Sequence, residues 1–128
     1  MIAVDTSALM AVILGEADSE KWIRILEIEP EILISAGTVA EALIVAGHRN
    51  VAQEMEALID GLSLTVIPVT EASARRVAEA HKRWGKGAHP AALNFGDCFA
   101  YEVSMANNCR LLFTGDDFSK TDVARATS

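Results

Sequence analysis

Apolar and polar positions along the chain fall into short blocks whose period changes repeatedly, and those changes divide it into strands and helices. Residues 2–4 are apolar and β-branched or small, and Asp5-Thr6-Ser7 then offers three capping side chains ahead of the apolar stretch 8–14. This predicts a strand, a turn and a helix stopped by Gly15. Trp22, Ile25 and Leu26, with Glu29 in register, have helical spacing over about 18–29. Pro30 ends that helix, and residues 31–35 read as a short buried strand running into a helix that begins near Gly37-Thr38 and carries Glu41. Val51, Met55, Leu58, Ile59 and Leu62 describe an amphipathic helix closed by Gly61, followed by a strand over 64–69.

Thr70-Glu71 opens the next helix, with Ala74, Val77, Ala78 and His81 along one face and Gly85 and Gly87 ending it. Residues 85–94 hold two glycines and a proline and are expected to form a mobile loop, long enough in so small a chain to suggest function. Phe95-Gly96-Asp97 starts a helix reaching about residue 107, residues 110–114 form the last strand, and Gly115-Asp116-Asp117-Phe118 leads into a short tail. Short apolar strands alternating with helices specify the α/β class, a parallel sheet covered on both faces, with ligands expected at the carboxyl ends of the strands. Asp5 and the Asp116/Asp117 pair each follow a predicted strand there.

With 128 residues the chain is expected to form one domain over 1–128. No apolar run approaches the roughly 18 residues that cross a bilayer, so a soluble protein without a membrane partner is expected. Met1-Ile2-Ala3-Val4-Asp5 has no basic leader, which argues against export. Cys98 and Cys109 lie eleven positions apart outside any CxxC or Cys/His pattern, so they are expected as reduced thiols in the cytoplasm.

The formal net charge of -7 works against general polyanion binding, which needs clustered Lys and Arg. The charge is uneven, however. Residues 1–60 hold eleven acids and three basic residues, whereas Arg75, Arg76, Lys82, Arg83 and Lys86 fall within twelve positions. Nucleic acid is therefore expected to approach that second region.

Glu41 is the only charged side chain in AGTVAEALIVAG, and a carboxylate in an apolar helix either faces solvent or is compensated by a metal or a basic partner. Asp97 equally suits a helix's first turn, where it stabilises the macrodipole by roughly 0.3 to 1 kcal/mol. Asp5 is a strand-end acid that can cap a helix, and Asp116 and Asp117 suit a solvated turn. Taken together, acids converging from strand ends and helix starts supply hard oxygen ligands for Mg²⁺ or Mn²⁺. Such a site can hydrolyse a phosphodiester with an activated water.

VDTSA at 4–8, the lone Glu41, NFGDCFAY at 94–101 and LLFTGDDFSKTDV at 111–123 resemble the PIN domains of VapC-type toxins, in the expected order and nearly end to end. The resemblance implies a three-layer α/β/α sandwich around a central, mainly parallel sheet. It also implies Mg²⁺- or Mn²⁺-dependent endoribonuclease activity as the toxin of a type II toxin-antitoxin pair, a cognate antitoxin and a homodimer. By position, Asp5, Glu41 and Asp97 match three family acids; Asp117 fits the Gly-x-Asp-Phe element, with Asp116 beside it as the alternative fourth ligand. Thr6 and Thr114 are placed to hold waters or phosphate oxygens, and Asn94 to support the start of the helix bearing Asp97.

Other residues carry less. His48, His81 and His89 show no triad or ligand spacing, and His81 is expected in the core. Lys86 and His89 are placed to touch RNA or to lie on a solvated face, and Trp84 to pack beneath the loop or stack on a base. Glu102 sits about 140° around the helix from Asp97 and is expected exposed. Two alternatives stand beside the ribonuclease: a domain that binds RNA or protein while its acids only cap helices, and an aspartyl phosphatase, which would want a second acid where Ser7 stands.

Overall fold

The computed structural model describes residues 1–126. The chain runs through β1 (Ile2–Val4), α1 (Thr6–Leu14), α2 (Ser19–Ile28), β2 (Ile32–Ser35), α3 (Ala36–His48), α4 (Ala52–Gly61), β3 (Thr65–Ile67), α5 (Glu71–Trp84), α6 (Phe95–Ala106) and β4 (Arg110–Leu112). A 3-10 turn at Phe118–Lys120 follows. The four strands form one sheet in the order β3-β2-β1-β4, and every recorded pairing between them is parallel.

Alternate strand residues serve opposite layers, as the pleat requires. Ile2, Val4, Ile32, Ile34 and Leu112 pack with Leu9, Trp22, Ala42 and Met55 of α1 to α4. Ala3, Leu33, Leu111 and Phe113 pack on the other side with Val77, Trp84, Cys98, Tyr101 and Val103 of α5 and α6. The result is a three-layer α/β/α sandwich in which the middle strands are buried on both faces, which explains their uninterrupted apolar sequence. No helix among the described residues is long and apolar enough to cross a membrane.

Local chemistry sets the boundaries. Asp5 caps α1 by accepting from Ser7 N at 3.0 Å, and Gly15 ends that helix in the left-handed region (φ 62°) with its N–H turned back to Ala11 and Val12 carbonyls. Asn94 caps α6 in a reciprocal box with Asp97. The strand expected over 64–69 is only three residues long, because β3 is an edge strand with an exposed outer flank.

Three expectations need correction. Helix α5 buries Ser73, Val77, Ala80 and Trp84, while Ala74, Ala78 and His81 are exposed. The bulk of Trp84 turns the helix so that this indole, not His81, enters the core; its Nε1 donates to Tyr101 Oη at 3.0 Å. Glu102 is buried, 6% exposed, because α5 lies across α6 and Arg76 Nε donates to its Oε2 at 2.9 Å. The segment 85–94 is closed on itself by backbone hydrogen bonds, not open. Lys86 N donates to Leu93 O, Leu93 N to Trp84 O, and Ala91 and Leu93 are fully buried beneath it. His89 stands edge-on to Trp84 with ring centroids 4.7 Å apart.

Phe113 is 1% exposed and packs on Phe118 at 5.2 Å, joining the last strand to the turn beyond the acids. Phe113→Ala is expected to lower unfolding free energy by about 3–5 kcal/mol, as measured by urea denaturation followed by circular dichroism.

Candidate active site

The sheet order makes β1 a topological switch: the chain leaves it toward β2 on one side and returns as β4 on the other. A crevice therefore opens beyond the carboxyl ends of β1 and β4, and the site residues enter it from four directions. Asp5 N continues the ladder by donating to Leu112 O at 3.0 Å. Thr114 N donates to Ser7 Oγ at 3.1 Å, tying the segment after β4 to the first turn of α1. Helix α3 brings Glu41 from one flank and the amino end of α6 brings Asp97 from the other. Asp5, Thr6, Ser7, Glu41, Asp97 and Thr114 line one open cavity of about 290 Å³.

Each acid is held by a specific donor. Thr6 Oγ1 donates to Glu41 Oε1 at 2.7 Å. Asn94 N donates to Asp97 Oδ2 at 3.0 Å, while Asp97 N donates to Asn94 Oδ1 at 2.8 Å. Asp5 Oδ2 is engaged by Ser7 N, but Asp5 Oδ1 is buried with no partner. Burial pushes the Asp5 carboxyl up to about 7, opposed by its Ser7 hydrogen bonds and reinforced by the charges of Asp97 and Glu41. Asp97 rises to about 6, again chiefly through burial; the Asn94 backbone bond opposes the rise, and Glu41 and Asp117 add to it.

This is a site short of positive charge. Its donors are carboxylate and hydroxyl oxygens, the hard set that Mg²⁺ and Mn²⁺ accept, and the orphaned Asp5 Oδ1 is the kind of atom such an ion would satisfy. The residues therefore fit a divalent cation. They do not form a closed cage, since among the described residues no three of His, Cys, Asp and Glu stand at metal-binding spacing. An open arrangement suits Mg²⁺, which keeps several waters and takes only one or two carboxylates directly.

The two remaining acids separate. Both are exposed and neither lines the cavity; Asp117 is close enough to add to the rise at Asp97, whereas Asp116 does not act on the buried acids. Neither follows directly on a strand as expected, because β4 ends at Leu112 and Gly115 (φ 84°) turns the chain before them. Lys86 is exposed outside the cavity, with its backbone N at the base of the closed loop, one residue from Asn94.

Gly96 and Ser7 are parts of the site that sequence reasoning passed over. A Cβ on Gly96 would overlap the Glu41 carboxylate, and one on Gly37 would overlap the Phe99 ring, so α3 and α6 approach through two glycines. Gly96 left a signal: a glycine in the first turn of a helix costs roughly 1 kcal/mol relative to alanine and so calls for a reason.

Raised carboxyl pKa values carry a definite sign. A carboxyl that titrates higher in the folded state binds more protons there than when unfolded, so stability falls as pH rises from about 4 toward the folded values of about 6 and 7. In chelator, the unfolding free energy is expected to fall between pH 4.5 and 7.5 by up to about 1.4 kcal/mol per pH unit for each proton concerned, and the melting temperature with it. Asp5→Asn is expected to flatten that slope, and Mn²⁺ to restore stability at pH 7.5; scanning calorimetry reads all three.

Comparison with known proteins now adds to this geometry. The family model for the PIN domain matches residues 2–124. Ribonuclease VapC42 of Mycobacterium tuberculosis is 34% identical over 127 residues, covering 96% of this chain and 97% of the relative. Ribonuclease VapC28 of the same species is 35% identical over 127 residues, covering 96% of each. Among solved structures, the fold is similar to that of Mycobacterium tuberculosis VapC20, described as a sarcin-ricin loop cleaving toxin, with a TM-score of 0.79 at 19% identity over 100% of both chains. A toxin-antitoxin complex from Klebsiella pneumoniae gives 0.73 at 15% identity, covering 98% of this chain and 97% of that one. The sandwich, the match over nearly all of the chain and its similarity to named ribonucleases agree: the chain belongs to the PIN-domain family, among the VapC ribonucleases.

Proposed function

We propose that this protein is a Mg²⁺- or Mn²⁺-dependent endoribonuclease, the toxin of a type II toxin-antitoxin pair, and that Asp5, Glu41 and Asp97 carry its chemistry with Asp117 as the fourth acid. The observation that carries this is the convergence of three carboxylates in one cavity, with the Asp5 Oδ1 atom buried and unpartnered. A divalent ion bound there would supply Lewis acidity to the scissile phosphate and acidify the attacking water. Asp5, the most buried of the three acids, would hold that ion together with Asp97. Glu41, fixed by Thr6, is placed to orient water and accept its proton, and Asn94 keeps Asp97 aimed into the cavity. Thr114 offers its hydroxyl to a water or phosphate oxygen from the far wall. Asp116 is left a solvated turn residue, and Lys86 is a phosphate contact at the outer edge. The one cavity hydroxyl that donates to a carboxylate among the described residues, Thr6, is taken up in holding Glu41, which favours direct attack by water over a covalent intermediate.

Support for a cognate antitoxin comes from the similar fold of the toxin-antitoxin complex of Klebsiella pneumoniae and from the acids themselves, which a basic side chain of a partner can neutralise in place of metal. A homodimer is favoured by an apolar patch beside the acids: Phe95 is 71% exposed and Ile44 59%, around Gly37, Ala40 and Phe99. Free thiols at Cys98 and Cys109 suit a cytoplasmic setting.

Asp5→Asn and Asp97→Asn are expected to reduce RNA cleavage at least a hundredfold while keeping the fold, with EDTA doing the same reversibly. Asp117→Asn is expected to lose far more activity than Asp116→Asn. Cleavage of total RNA, read by sequencing of 5′ ends, checks both; full activity in the Asp5 and Asp97 variants rejects the mechanism. For the dimer, Phe95→Glu is expected to give a monomer in light scattering coupled to size exclusion, where the parent chain runs as a dimer.

A further inference from the structure

The loop between α5 and α6 is closed by one titratable side chain that lies outside the acid-lined cavity. His89 Nδ1 accepts a hydrogen bond from Ala91 N at 3.0 Å. A backbone N–H can only donate, so Nδ1 carries no proton and the ring's hydrogen sits on Nε2. Pro90 between the two has a fixed φ and no N–H of its own, which makes Ala91 N the first donor beyond the ring. The other recorded bonds from residues 86–93 end on backbone carbonyls: Lys86 N on Leu93 O, Ala88 N and His89 N on Gly85 O, Ala92 N on His89 O and Leu93 N on Trp84 O. Only the bond from Ala91 N is open to removal by a proton. Ala91 is fully buried, so without that acceptor its N–H is an unsatisfied donor and the segment must open to reach water. Ala92 is held at φ 51°, a left-handed conformation unfavourable to alanine that the closed loop has to maintain.

We propose that His89 is a positioning residue for the acid cluster: its neutral imidazole closes the loop that sets Asn94 and, through Asn94, the carboxylate of Asp97. Protonation of the ring then loosens the site from a distance. The inference rests on the ribonuclease proposal above and adds to it a regulating group outside the cavity. The path is short. Leu93 is fixed at both its N–H and its carbonyl, and the next residue, Asn94, donates from N to Asp97 Oδ2 and accepts from Asp97 N through Oδ1. The imidazole stands edge-on to the Trp84 ring with centroids 4.7 Å apart, so its orientation is set by the end of α5. Of the titratable groups on the surrounding elements, α5 brings His81 and Arg83, the loop brings Lys86, and Tyr101 of α6 holds Asp122 of the tail. Arg83 lies over the same indole, 4.5 Å from its centroid, and pairs with Asp122 at 3.7 Å. No recorded ion pair among the described residues includes His89, so a charged ring has no carboxylate to hold it in place.

The test compares the parent chain with His89→Ala and His89→Asn. An asparagine side chain accepts from the N–H two residues on, as in an Asx turn, yet does not titrate. Cleavage of RNA in Mn²⁺ gives kcat and KM at about pH 5.5, 6.5 and 7.5, a span over which imidazoles ordinarily change charge. Hydrogen exchange at the Ala91 and Asn94 amides is followed by NMR at the same pH values, and melting temperatures are recorded. At pH 7.5, His89→Ala is expected to lower kcat about five- to tenfold with KM within about twofold, roughly the weight of one hydrogen bond. His89→Asn is expected to restore kcat there and to stay about threefold or more above the parent chain at pH 5.5, where Ala91 exchange quickens only in the parent chain. Titration of the acids themselves is common to both proteins and cancels in that ratio. A lower melting temperature with unchanged kcat in His89→Ala would leave the ring a structural staple and overturn the inference. An acid-side fall of equal size in the parent chain and His89→Asn would do the same, and that comparison decides even where His89→Ala does not fold. If the parent chain cuts no RNA in Mn²⁺, the ribonuclease proposal fails; Ala91 exchange that ignores pH in an active parent chain overturns the His89 inference alone.

Discussion

Removing the Asp5 carboxylate from water at the end of the central strand, within the field of Asp97 and Glu41, is the constraint around which the rest of the molecule is arranged. A lone carboxylate in that position is costly, and here one oxygen is left without a partner while two other acids face it. The fold tolerates this because Asp5 also performs a local task, capping α1, and because the sheet ladder on either side of it is complete. The unfavourable charge is thus held by the best-packed part of the protein. The acids differ in burial, so the first to need neutralising is the deepest.

The close approach of α3 and α6 follows from that constraint. Glu41 can reach the pocket only if the first turn of α6 carries no side chain at Gly96, and the two helices stay near each other because Gly37 receives the Phe99 ring. Thr6 then gives Glu41 a fixed rotamer, and the Asn94 box does the same for Asp97. On the far side of α6, Arg76 with Glu102 and the chain from Trp84 through Tyr101 to Asp122 lock α5 and the tail against it. The closed loop over 85–94 is stapled to the same helix pair, so it delivers Asn94 in place.

Negative charge limits the ways in which this protein can hold RNA. With a net charge of -7, most of the surface repels a polyanion. Much of the basic charge on α5 is already spent: Arg75 pairs with Glu71, Arg76 with Glu102 and Arg83 with Asp122. A divalent ion among the acids would convert the centre of the site from repulsive to attractive for a polyanion.

Much of this was legible in the sequence. The α/β class came from apolar blocks of alternating period, since burial on both faces leaves strands no polar position and burial on one face gives helices their stripe. Glu41 stood out as a lone charge in an apolar helix, whereas Asp5 and Asp97, each an ordinary helix cap taken alone, gained weight from the combination of acids and from the resemblance. Tertiary structure alone decided the rest. On α5 the buried residues Ser73, Val77, Ala80 and Trp84 keep helical spacing on a face turned from the expected one, and packing against α6 selected that face and put His81 in solvent. Glu102 was buried by a partner 26 residues away in sequence. The need for Gly96 and the reach of Glu41 into the cavity both depend on distances between elements far apart in the chain. Local pattern carries no measure of those distances, because they arise only when the two helical layers close on the sheet.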